Sequence, residues 1–131
     1  MILVDSSVWI NYFNGVVTDE TDYLHSLLGN EVVATGDLIL VEVLQGFRKD
    51  KDFQIAKELF QSIPTFDLCN RDFAIKGASN FRFLRKKGIT IRKTIDVIIA
   101  TFCIEYDIPL LYLDKDFDYF REHLNLKNAM T

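Results

Sequence analysis

A chain of 131 residues, 49% hydrophobic and 26% charged, suits one globular domain spanning 1–131 with a real core. Its net charge of −4 and pI near 5.1 exclude a general nucleic-acid coat, which carries a basic footprint. No segment reads as a signal peptide or crosses a bilayer, so a soluble, cytoplasmic protein with no membrane partner is expected.

The opening stretch, MILVDSSVWINYFN, orders the rest. Ile2, Leu3 and Val4 form an apolar run of the kind buried in a parallel sheet, and Asp5 closes it. Ser6 and Ser7 offer hydroxyls suited to capping a helix whose apolar residues are Val8, Trp9, Ile10, Tyr12 and Phe13. Gly15 breaks that helix, and Thr18 to Asp22 starts another that ends near Gly29. Val32 to Ala34 reads as a second buried strand, followed by a helix over Leu38 to Phe47. A further helix runs from Phe53 to Ile63 and is closed by Pro64, and Phe66 to Cys69 reads as a third strand.

Phe73, Ala74, Gly77, Ala78, Phe81 and Leu84 give Asn70 to Lys87 the period of a long amphipathic helix with a basic far end. Thr94 is suited to capping a helix that is apolar nearly all round, from Ile95 to Ile104. Leu110 to Leu113 reads as the fourth strand, Phe117 to His123 as the last helix, and Leu124 to Met130 as an added edge strand. Cys69 and Cys103 match no metal-ligand spacing and are expected as buried free thiols in a reducing compartment. Strands alternating with helices predict a three-layer α/β/α domain with a mainly parallel central sheet.

In such a domain each helix starts at the edge where strands end, which is where functional groups collect. Asp5 and Asp114 close predicted strands, Glu42 lies in the second turn of one helix and Asp96 in the first turn of another. Residues scattered in sequence therefore meet at one edge. Each acid also has a plainer reading: Asp5 as a helix cap, Asp96 as a partner of a helix dipole, Asp114 or Asp116 as the cap of the last helix. Glu42 resists one, because it interrupts a largely apolar face and has no Lys or Arg within a helical turn.

Clustered carboxylates repel and call for a compensating cation. Oxygen ligands without a His or Cys constellation point to Mg²⁺ or Mn²⁺ rather than zinc. A hard metal there polarises a phosphoryl oxygen and lowers the pKa of bound water, which makes phosphodiester hydrolysis the natural chemistry. Rival motifs are weak. His25 and His123 read as surface residues, Trp9 and the phenylalanines as core, and no phosphate-binding loop, dinucleotide fingerprint or nucleophile elbow is present.

Three fragments in this order, MILVDSSVWINYF, LILVEVLQG and KKGITIRKTIDVIIATFCIEYDIPLLYLDKDF, resemble the PIN-domain family and, more narrowly, VapC-type toxin ribonucleases of toxin–antitoxin pairs. The resemblance covers almost the whole chain. It implies an endoribonuclease using Mg²⁺ or Mn²⁺, usually a homodimer, inhibited by a small VapB-type antitoxin whose tail fills the acidic groove. It assigns the metal to Asp5, Glu42, Asp96 and Asp114, with Asp116 contributing and the Ser6 hydroxyl beside the site. Basic residues near Arg48 and from Arg85 and Lys86 to Arg92 and Lys93 would then hold the RNA backbone. One departure stands out: Tyr112 occupies a position where the family often carries Thr or Ser. The alternatives are a non-catalytic PIN-fold module that binds RNA or protein, and a phosphorylated receiver-type domain, for which the acids are wrongly placed.

Overall fold

The computed structural model describes residues 1–30 and 32–130. Among these, strands β1 (Ile2–Val4), β2 (Val33–Gly36), β3 (Thr65–Phe66) and β4 (Leu110–Leu111) alternate with helices. The helices are α1 (Ser6–Phe13), α2 (Asp19–Leu27), α3 (Asp37–Leu44), α4 (Asp50–Gln61), α5 (Arg71–Lys86), α6 (Thr94–Tyr106) and α7 (Asp116–Leu124). The sheet order is β3-β2-β1-β4, and every pairing is parallel. Leu3 stands opposite Ala34 on one side and Leu110 on the other.

This order explains where the site sits. From β1 the chain steps outward to β2 and β3, then returns across the sheet to β4 on the other side of β1. Right-handed crossovers put α1 to α4 on one face and α5 and α6 on the opposite face. The observed packing agrees, with α1 against α2 and α3, and α5 against α6 and α7. The direction of winding reverses between β1 and β4, and a crevice opens there at the strand ends.

The core explains why the elements stay in place. Leu3, Val4, Leu110 and Leu111 are fully buried in the central strands, as the apolar run of a doubly covered strand requires. On one face Trp9 stacks with Phe13 and meets Phe60 edge-on, with ring centroids 6.0 Å and 4.7 Å away. On the other face Asn80 Nδ2 donates to Thr101 Oγ1 over 3.0 Å, which helps fix α6 against α5.

Several local expectations change. Of the caps read for α1, Asp5 takes the role and the serines do not: its side chain accepts from Ser7 N. Lys93, not Thr94, holds the N-cap position of α6, since its carbonyl accepts from Val97 N over 3.4 Å. The third strand stops at Phe66 because Leu68 N turns to Asp37 Oδ1. Leu68 takes the buried position that Cys69 was expected to share, leaving Cys69 exposed and Cys103 buried. Instead of an edge strand over 124–130, α7 continues to Leu124 and Asn125 turns left-handed at φ 65. A single parallel bridge then joins Asn128 to Leu110. No described helix is long and apolar enough to cross a membrane.

Candidate metal centre

The acids arrive at the crevice by different routes. Asp5 follows the last residue of β1, and its backbone N–H still pairs with Leu111 O at 2.9 Å. Asp114 and Asp116 lie just beyond β4, where Asp116 N donates to Asp114 Oδ1 over 3.0 Å. Asp96 stands in the first turn of α6 and is buried. Asp96, Asp114 and Asp116 each place one carboxylate oxygen within 4.8 Å of the other two. Glu42, half-buried on α3, reaches the β1–α1 junction, where its Oε1 accepts from Ser6 Oγ over 3.0 Å.

The electrostatics follow from burial. Asp5 is 2% exposed, and desolvation lifts its pKa to about 6 despite hydrogen bonds from Ser7, with Glu42 adding to the rise. Asp96 is pushed up to about 7, first by burial and then by the charges of Asp5 and Asp114. A carboxyl surrounded by carboxyls holds its proton more tightly unless a cation offsets the charge. Arg92 supplies part of that offset: its Nε is 3.2 Å from Asp116 Oδ2 and its Nη2 is 3.6 Å from Asp114 Oδ1. Lys93 Nζ is 4.0 Å from Asp114 Oδ2.

The residues fit a hard divalent metal. Asp5 Oδ1 and Asp96 Oδ2 are buried with no hydrogen-bond partner among the described residues, a costly state for a polar atom that coordination would relieve. The donors are carboxylate oxygens, as Mg²⁺ and Mn²⁺ prefer.

Of the residues expected at the site, Asp96, Asp114 and Asp116 form one cluster, and Asp5 and Glu42 lie near enough for their charges to act on Asp96. Ser6 bonds to Glu42, and Arg92 joins through its ion pairs. Arg85 and Lys86 do not make ion pairs with the acids among the described residues. Arg85 instead lies over the Phe81 ring, 5.5 Å from its centroid. With Thr94, Val97 and Ile98 it lines a groove of about 420 Å³ between α5 and α6. Glu42 accepts a hydrogen bond from the Ser6 hydroxyl. Tyr112 is buried, and its hydroxyl donates to Asp118 Oδ1 over 2.6 Å. The structure also brings in Ser7, which the sequence marks only as a capping hydroxyl: its Oγ donates to Asp5 Oδ2 over 2.6 Å.

Comparison with known proteins shows the family. The sequence profile of the PIN domain matches residues 2–122. The VapC ribonuclease Mb1587 of Mycobacterium bovis and ribonuclease VapC11 of Mycobacterium tuberculosis are each 28% identical over 131 residues, covering 98% of this chain and 98% of the relative. The fold is also that of a chain in the VapBC2 complex of Rickettsia felis bound to a promoter DNA fragment, at a TM-score of 0.75 and 19% identity, covering 98% of both chains. A chain of VapBC-1 from nontypeable Haemophilus influenzae matches at 0.72 and 16%, covering 98% of this chain and 97% of that one. With that profile spanning residues 2–122, the chain belongs to the PIN domain family.

Proposed function

We propose that this protein is a divalent-metal-dependent endoribonuclease, the toxin component of a type II toxin–antitoxin pair. The observation that carries the reading is the buried carboxylate group with two partnerless oxygens, Asp5 Oδ1 and Asp96 Oδ2, beside Asp114 and Asp116. The ribonuclease names of the mycobacterial relatives support the same reaction. A non-catalytic module would carry this charge repulsion with only the partial offset of Arg92 and Lys93.

Asp5, Asp96 and Asp114 would hold Mg²⁺ or Mn²⁺, with Asp116 and Glu42 completing the negative field. When bound, the metal supplies Lewis-acid polarisation of the scissile phosphate and a lowered pKa for attacking water. The chain itself contributes position and charge. Ser6 fixes the Glu42 carboxylate through its 3.0 Å hydrogen bond. Arg92, 70% exposed along its side chain, and Lys93 present cations beside the acids, where RNA phosphates would otherwise be repelled. Arg85 and Lys86, in the last turn of α5, would add further cations for the RNA backbone.

Two partners belong to the proposal. A VapB-type antitoxin fits the likeness to the VapBC complexes. A second copy of the chain is the other partner that the family resemblance implies. The test is cleavage of end-labelled total RNA by the purified chain in Mg²⁺ or Mn²⁺, beside EDTA and Asp96→Asn controls. Cuts confined to the metal-loaded native chain support the reading; cuts that persist in both controls overturn it.

A further inference from the structure

Ser7 makes contacts that helix capping alone does not require. Its backbone N–H donates to Asp5 Oδ2 over 3.1 Å, which is the capping bond of α1. Its hydroxyl donates to the same oxygen over 2.6 Å, a short bond of the kind a charged acceptor makes. The hydroxyl oxygen then accepts from Leu113 N over 3.2 Å. Both of Ser7's donors thus converge on one carboxylate oxygen, and its hydroxyl reaches the residue immediately before Asp114.

The consequences are geometric. With Oδ2 held twice, the Asp5 carboxylate cannot rotate freely, and Oδ1 is the oxygen left buried without a partner. The ladder between β1 and β4 runs out at Val4 and Leu111, after which the chain bearing Asp114 and Asp116 departs. Ser7 Oγ bridges the two beyond that point. A serine has one heavy-atom torsion to fix, and two hydrogen bonds through Oγ are enough to fix it.

We propose that Ser7 is a positioning residue of the metal site: its hydroxyl turns Asp5 so that Oδ1 is presented to the cation, and it ties Asp5 to the loop carrying Asp114 and Asp116. This rests on the metal-dependent reading above. Hydrogen-bond partners of metal ligands commonly set affinity through orientation in this way. An alanine at this position keeps the capping N–H and removes only the hydroxyl, which separates positioning from helix capping.

The test is calorimetric titration of Mn²⁺ alone into the full chain and into Ser7→Ala and Ser7→Thr, each checked for native circular dichroism. Ser7→Ala is expected to bind Mn²⁺ about tenfold or more weakly, with Ser7→Thr restored to within about threefold of the native chain. On RNA, kcat falls in Ser7→Ala while KM holds. If Ser7→Ala does not fold, Ser7→Cys, a weaker donor, takes its place with the same expected direction. Mn²⁺ affinity unchanged by removal of the hydroxyl, or weakened alike in Ser7→Thr, overturns the inference while leaving the metal site standing. A native chain that binds no Mn²⁺ removes the metal reading, and the inference falls with it.

Discussion

Arg92 Nε lies 3.2 Å from Asp116 Oδ2, so a residue expected to face RNA is also the nearest counter-charge to the acids. The pair is exposed on the Arg92 side and is expected to add little to folding. It competes instead with whatever cation enters the cluster. Arg92→Gln is therefore expected to leave the melting temperature nearly unchanged and to tighten Mn²⁺ binding modestly, on the order of threefold. The same change should reduce the slope of log RNA affinity against log salt by about 0.7, the loss of one single-strand phosphate contact. Calorimetry with Mn²⁺ and RNA binding across a salt series check both.

The raised pKa values of Asp5, about 6, and Asp96, about 7, fix the direction of the pH dependence. Both exceed the ordinary value of 3.8, so the folded chain binds more protons than the unfolded one across that interval. The stability this confers is fully present below 3.8 and is lost as pH rises through about 6 and about 7. In chelator, the melting temperature should fall from about pH 5 to about pH 8, and Asp96→Asn should flatten that fall. Saturating Mn²⁺ should oppose it, because ligation requires the deprotonated carboxylates.

Tyr112 replaces an expected small hydroxyl residue without leaving its own hydroxyl idle. The bond to Asp118 Oδ1 at 2.6 Å and the ring's contact with Phe117 at 5.3 Å between centroids tie the chain after β4 to α7. Tyr112→Phe should cost about 1.5 to 3 kcal/mol in urea denaturation, the loss of a hydrogen bond to a charged acceptor. Mn²⁺ affinity should stay at the native value, since the hydroxyl is spent on Asp118. A drop in affinity would mean that Tyr112 acts on the metal site after all.

Gly36 sits where β2 hands over to α3, the helix that carries Glu42. A Cβ at this position would overlap the side chain of Leu68, which is itself fully buried. Overpacking of this kind makes Gly36→Ala destabilising by about 1 to 3 kcal/mol. The displaced Leu68 would also strain the bond from its N–H to Asp37 Oδ1. Thermal or urea denaturation of the variant measures the cost.

Much of this architecture was legible because burial leaves a mark on composition. The apolar run Ile2 to Val4 and the all-round apolar α6 announce elements covered on both sides, and the helix–strand alternation then brings Asp5, Asp96 and Asp114 together. Glu42 was legible for the opposite reason, a charge set on an apolar face. The end of β1 was legible at Asp5, but the ends of β3 and β4 were not, because they depend on bonds made across the fold. Leu113 leaves the ladder for Ser7 Oγ, and Leu68 leaves it for Asp37. Arg92's ion pairs have the same character: charge alone gave its place in a basic group, while the turn before α6 decides which way it pairs.

The most direct measurement is the anomalous difference map of a crystal of this protein soaked in Mn²⁺. A peak ligated by Asp5 Oδ1, Asp96 Oδ2 and an Asp114 oxygen is expected, absent from an Asp96→Asn crystal. A saturated crystal with no peak among these acids would contradict the metal reading.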